Sequence, residues 1–166
     1  RAYIRNDIFF RSIPLVLQQQ PETKFYCPTM AGELQAEKWV RELGIEANTV
    51  LMPRQTRQEM ANLFRQADIV VSPSVHDGTP NTLLEAMACG CFPVAGDLES
   101  IREWIIPGEN GYLVNPNDPQ ALANAILSAL TDPVLLEKAR RQNTKIISER
   151  ANYRVVMEKV RRFYET

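Results

Sequence analysis

Apolar and polar positions along this chain switch period repeatedly, from helical spacing to short apolar runs and back. Residues 7–20 (DIFFRSIPLVLQQQ) have the spacing of a helix, with Pro14 as a candidate kink. Residues 23–28 (TKFYCP) read as a short strand, and 32–43 (GELQAEKWVREL) as a helix closed by Gly44. A strand at 48–52 (NTVLM) and a helix at 57–67 (RQEMANLFRQA) follow. ADIVVSPS at 67–74 is continuously apolar at its centre, the mark of a strand buried on both faces. NTLLEAMAC at 81–89 is a helix closed by Gly90. FPVAG at 92–96 is a strand, ESIREWI at 99–105 a helix, and GYLV at 111–114 a strand. From there the period is helical throughout. The segments 118–130 and 132–150 both open with Asp-Pro, a good N-cap followed by a residue favoured at the first helical position. Residues 151–165 form a last amphipathic helix. Its apolar stripe is Tyr153, Val156, Met157, Val160, Phe163 and Tyr164.

Strands alternating with helices predict a parallel sheet covered on both faces. Right-handed crossovers then favour a doubly wound, Rossmann-like α/β sheet, here with extra C-terminal helices. No repeat, low-complexity run or linker divides the sequence, so residues 1–166 read as one domain. Only Ala2, Tyr3 and Ile4 stand where a first strand belongs, and the first residue is Arg1 rather than Met. The chain is therefore expected to start inside an element of a longer protein.

Composition narrows the function classes. The chain is 45% hydrophobic and 23% charged, with a net charge of −1, so no basic field points to nucleic acid or a membrane surface. No apolar run has the length of a membrane span, and there is no signal peptide. Cys27, Cys89 and Cys91 form neither a disulfide framework nor a zinc site, with His76 the one histidine. They read as reduced packing residues of a cytosolic protein.

The chemistry concentrates in residues 72–91, SPSVHDGTPNTLLEAMACGC. A buried strand ends, turn-forming residues follow, and a helix begins with Thr79 as expected N-cap and Pro80 as first helical residue. The N–H groups of Asn81, Thr82 and Leu83 are then unpaired donors at the positive end of a helix, suited to a phosphate or diphosphate. Gly78 allows close approach of backbone or ligand. Glu85 lies four residues beyond Asn81 on the same helix face, about 6 Å along the axis. That is the reach from a diphosphate to a ribose, whose two hydroxyls a carboxylate can accept. The residues alone leave a second reading open: a solvated acid near a strand end.

HDGTPNTLLEAMACG, then FPVAGDLESIREWIIPGENGYLVNPNDPQALANAI, resembles the C-terminal domain of the family-four, group 1 retaining glycosyltransferases of GT-B fold. Their signature is an acidic residue, seven residues and Glu, followed by AMACG, a PVVA-like strand and a GxxGxLVxPxDPxxLAxAI tail. The similarity runs from about residue 23 to the end and is dense over 67–130. It implies that Glu85 binds ribose and that Asp77 contacts the transferred sugar. Gly78, Thr79, Pro80, Asn81, Thr82 and Leu83 then hold the diphosphate. This chain departs from the pattern in two places: Asp77 stands for the usual Glu, and Gly78-Thr79-Pro80 for Gly-Phe-Gly. Pro80 has no N–H to donate.

The family also neutralises the diphosphate with an Arg and a Lys after its first strand. Arg1 and Arg5 lie where that pair belongs, with Arg5 replacing Lys. Arg can hold phosphate bidentately, so the charge logic survives. The alternative is a basic N-terminus without a role. His76 is a loop residue beside the sugar position, and Arg54 lies near the base position or is simply solvated.

The resemblance implies retaining transfer of a sugar from a nucleoside diphosphate donor to an acceptor, without a metal or other cofactor. Asp77 and Arg5 act at the reacting centre. An N-terminal acceptor domain of the same polypeptide completes the enzyme, so this part alone binds donor without turnover. Any membrane attachment is expected to be peripheral and through that other domain. The last helix is expected to seat on it or on a second copy of the chain. Alternatives are a non-catalytic sugar-nucleotide-binding module and a GT-B sugar-nucleotide epimerase.

Overall fold

A computed structural model describes residues 4–78 and 80–164. Among these residues five strands and eight helices run in the order α1 (Asn6–Leu17), β1 (Phe25–Cys27), α2 (Leu34–Glu42), β2 (Thr49–Leu51), α3 (Arg57–Gln66), β3 (Ile69–Ser72), α4 (Asn81–Ala88), β4 (Phe92–Gly96), α5 (Glu99–Arg102), β5 (Tyr112–Val114), α6 (Pro119–Leu130), α7 (Pro133–Arg150) and α8 (Tyr153–Tyr164), every strand pairing being parallel. The alternation read from the sequence is the alternation found. Among the described residues the strands pair as two groups. β1 pairs with β2, and β4 lies between β3 and β5.

Side-chain alternation along the central strands gives the layers. Phe92 and Val94 of β4 pack with α1 and α6, together with Ile69 and Val71 of β3 and Tyr112 and Val114 of β5. Ala95, Val70 and Leu113 point the other way, toward Leu83, Leu84 and Met87 of α4 and Ile101 and Ile105. All five residues of β4 are buried. A strand with apolar cores on both sides has no polar face, which is why FPVAG reads as an unbroken apolar run. The doubly wound α/β architecture follows from this alternation. No helix among the described residues is long and apolar enough to cross a membrane.

Local chemistry sets the helix ends. Asp118 and Asp132 accept the first-turn N–H groups of α6 and α7, with Pro119 and Pro133 next in line, as the Asp-Pro pairs predict. Thr56 and Glu59 close a reciprocal capping box on α3. Gly44 and Gly90 end their helices at φ +64° and +96°. α1 runs through Pro14 unbroken.

Two expectations are corrected. The helix expected over 99–105 is only Glu99–Arg102. Asn110 Oδ1 captures the Ile106 N–H at 2.7 Å, and Pro107 disfavours helical geometry at Ile106. Secondly, Pro80 is the N-cap of α4 and the helix starts at Asn81, so Pro80 is not its first residue. Thr79, expected as the cap, lies outside the described residues.

Candidate functional site

The segment after β3 leaves the sheet through buried Pro73 and Ser74, reaches the surface at Val75 and His76, and returns at buried Pro80. Pro80 has no side-chain acceptor, so α4 begins without a side-chain cap. Its first helical bond runs from Leu84 N–H to Pro80 O. The N–H groups of Asn81, Thr82 and Leu83 precede that bond and are the orphan donors of the first turn. The one-residue shift leaves the same three amides at the helix start.

Leu83, Leu84, Ala86 and Met87 bury the inner face of α4. Asn81, Thr82 and Glu85 are exposed on the opposite face. Among the described residues no group bonds the Glu85 carboxylate. Asp77 is half-buried and its backbone carbonyl is anchored: Ser100 Oγ donates to Asp77 O at 2.7 Å. Gly78 is exposed beside it.

The N-terminal segment meets this loop at its base. Ile4 forms an antiparallel bridge with Ser74, and Arg5 N–H donates to Pro73 O at 3.2 Å. The Arg5 guanidinium is bonded to neither Asp77 nor Glu85. Its Nε and Nη2 donate to Asp7 Oδ1 and Oδ2 at 2.9 and 2.8 Å, and Nη1 donates to Asn117 Oδ1. Hydrogen bonding within this pair holds Asp7 below the usual carboxylate range and raises Arg5 above its ordinary value. A lowered carboxylate pKa stabilises the fold at neutral pH, and that stabilisation fades as pH falls below the carboxylate range.

Asn117 comes from the segment after β5, where Asn115 Oδ1 accepts the Asn117 N–H at 3.0 Å. The residues after β3, β4 and β5 thus meet at one end of the sheet. Gly96, the last residue of β4, fits between them. A Cβ there would lie 2.2 Å from Ser74 O and 3.2 Å from Pro116 Cβ. Gly96→Ala must push the Ser74 carbonyl aside. We expect a stability loss of about 1–3 kcal/mol in urea denaturation, since a packed site has to shift. An unchanged midpoint would show that the carbonyl yields freely.

The remaining candidates are less tightly placed. His76 is exposed in the loop, and Arg54 is exposed after β2. Among the described residues no hydrogen bond or ion pair joins either side chain to the rest of the site. Arg1 lies outside the described residues. No three His, Cys, Asp or Glu side chains among the described residues cluster so as to hold a metal ion. The three cysteines are free thiols, and burial pushes Cys27 and Cys91 up to about 12, so both stay protonated packing groups.

Sequence reasoning missed Asp7, Asn117, Ser100 and Gly96. Asp7 offers a weak signal, an acid two residues from a candidate phosphate-binding Arg. Asn117 is 112 residues from its partner and carries none.

Parallel strands clothed by helices on both faces, with the segments that follow β3, β4 and β5 meeting at one end, define a Rossmann-like α/β domain. The chain belongs to the family described as "Glycosyl transferases group 1", whose model matches residues 3–132. It is 32% identical over 116 residues to the D-inositol 3-phosphate glycosyltransferase of Mycolicibacterium smegmatis, covering 68% of this chain and 27% of that one. It is 35% identical over 107 residues to the phosphatidyl-myo-inositol mannosyltransferase of Mycobacterium leprae, covering 64% and 28%. The chain thus spans just over a quarter of these two curated relatives.

Solved structures agree on the fold. Anabaena HepE in complex with UDP superposes with a TM-score of 0.88 at 19% identity, over 99% of this chain and 46% of that one. The C-terminal domain of LpcC, a group 1 glycosyltransferase of Francisella tularensis, gives 0.79 at 23% identity, over 92% and 82%. The fold is that of the C-terminal half of a GT-B glycosyltransferase.

Proposed function

We propose that this chain binds the nucleoside diphosphate sugar donor of a retaining hexosyltransferase whose acceptor-binding domain lies elsewhere in the polypeptide. One observation carries the reading. Asn81, Thr82 and Glu85 share the exposed face of the first turns of α4, and the loop that leads into that helix is met at its base, Pro73, by the Arg5 N–H. A helix start supplies donors for a diphosphate, and a carboxylate one turn on accepts both ribose hydroxyls.

In the transfer step, negative charge builds on the departing diphosphate. Arg5 and the Asn81–Leu83 amides are set to stabilise it, with Arg1 as a further candidate cation, so the charge balance needs no metal. Asp77, its backbone tied to Ser100, orients the sugar, with Gly78 and Pro80 shaping the turn. His76 borders the sugar and Arg54 the base. That the fold neighbour HepE is found in complex with UDP supports reading the ligand as a nucleotide. Calorimetry of the chain with UDP, GDP, ADP and their sugars tests the reading. If none binds, it is wrong. Turnover by the longer polypeptide distinguishes an enzyme from a binding module.

The length of the relatives also bears on α8. Tyr153, Met157 and Tyr164 expose 76%, 44% and 81% of their surface, and Phe163 and Tyr164 stack edge to face at 5.5 Å. We propose that this stripe seats on the acceptor domain, and on a second copy when that domain is absent. Sedimentation should show concentration-dependent association that Met157→Ser with Tyr164→Ser removes, without lowering the melting temperature. A clear fall in melting temperature would place the stripe in the chain's own core.

A further inference from the structure

The Arg5 side chain is held by groups of the protein itself. Asp7 takes Nε and Nη2 fork to fork, at 2.9 and 2.8 Å, and Asn117 takes one N–H of Nη1. A guanidinium carries five N–H donors. Three are in use among the described residues, which leaves one each on Nη1 and Nη2 for a ligand. The two anchors come from different places. Asp7 sits in the first turn of α1, and Asn117 sits in the turn before α6. α1 and α6 pack their apolar faces together, through Phe10 and Ile13 on one and Leu122 and Ile126 on the other. The anchors therefore share a rigid base.

We infer that Asp7, assisted by Asn117, is a positioning residue that holds the Arg5 guanidinium ready for an anionic ligand. The inference rests on the reading of Arg5 as a diphosphate ligand. An acid beside an anion site also works against binding, because it cancels charge. Here both side chains are about 30% exposed, so water screens Asp7's repulsion of the ligand. The bidentate geometry is not screened away. A long, flexible side chain fixed in advance loses less freedom on binding. Orientation therefore outweighs charge cancellation.

Asp7→Asn separates the two effects, because it removes the charge while keeping the shape. Calorimetry on the 166-residue chain would use UDP, GDP and ADP beside the matching nucleosides. Asp7→Asn is expected to weaken nucleoside diphosphate binding roughly three- to tenfold and to leave nucleoside binding unchanged. Asn117→Ala should act in the same direction. In an Arg5→Ala background, Asp7→Asn should have no further effect. Tighter or unchanged diphosphate binding by Asp7→Asn, with Arg5→Ala still harmful, overturns the positioning role alone. Arg5→Ala without effect overturns the diphosphate reading beneath it. Equal losses for nucleoside and diphosphate would mean that Asp7 only supports the fold.

Discussion

Glu85→Gln is expected to weaken nucleoside diphosphate binding by about 1–3 kcal/mol, roughly 5- to 150-fold in Kd. The carboxylate stands on the exposed face of α4, one turn beyond the amides that start the helix. Glutamine preserves the length and one acceptor oxygen but loses the charge and the second acceptor. A carboxylate that accepts two ribose hydroxyls makes charge-assisted bonds, about twice as strong as neutral ones. Because Glu85 is exposed, the fold should be unaffected, and the melting temperature checks this. Glu46→Gln, an equally exposed acid after α2, serves as control and should bind like the parent. If calorimetry finds equal affinity for Glu85→Gln and the parent, ribose is held elsewhere and Glu85 is a solvated surface acid.

Asn110→Ala should produce the largest loss of stability. Asn110 is completely buried, as is Asn143 of α7. Asn110 Oδ1 accepts the Ile106 N–H at 2.7 Å, and its Nδ2 donates to Trp104 O and to Asn143 Oδ1, both at 2.9 Å. Asn143 Nδ2 donates in turn to Asn110 O at 3.0 Å and Cys91 O at 3.3 Å. Alanine leaves Asn143 Oδ1 buried without a partner and removes the part-buried bonds to the Ile106 N–H and Trp104 O. The buried orphan costs about 1–3 kcal/mol and each lost bond about 0.5–1.5 kcal/mol, so the loss should be about 2–6 kcal/mol. Neighbouring Gly111 admits no side chain, since a Cβ would lie 2.7 Å from Pro93 Cγ, so the turn has little room to relax. Urea denaturation measures the change. A loss under about 1 kcal/mol would mean that water enters and replaces the missing amide.

The two predictions draw on different information. Glu85 was legible because helical spacing alone puts it on the face of Asn81, and the acid-to-Glu signature marks it out. The Asn110–Asn143 pair was not legible. GENG reads as a surface turn, and ENG is what solvent-exposed turns carry. Only the packing of α7 across that turn makes Asn110 a core residue.

Local sequence determined the order of strands and helices, the Asp-Pro starts of α6 and α7, and the glycine stops after α2 and α4. It also placed the candidate amides and carboxylate of α4 on one turn. Each of these depends on residues within about four positions of one another, where spacing and capping chemistry decide the outcome. Tertiary structure alone decided that Arg5 meets Pro73 and Asn117, whereas Asp7 is its neighbour in sequence. The family resemblance puts that side chain at the diphosphate. In the fold, its backbone meets Pro73 while its guanidinium turns to Asp7 and Asn117. It also decided that Gly96 must be bare, because Ser74 O and Pro116 crowd it from two neighbouring strand ends. Contacts between residues tens of positions apart leave no periodic trace in a sequence. They come into being only when the parallel strands set their carboxyl ends side by side.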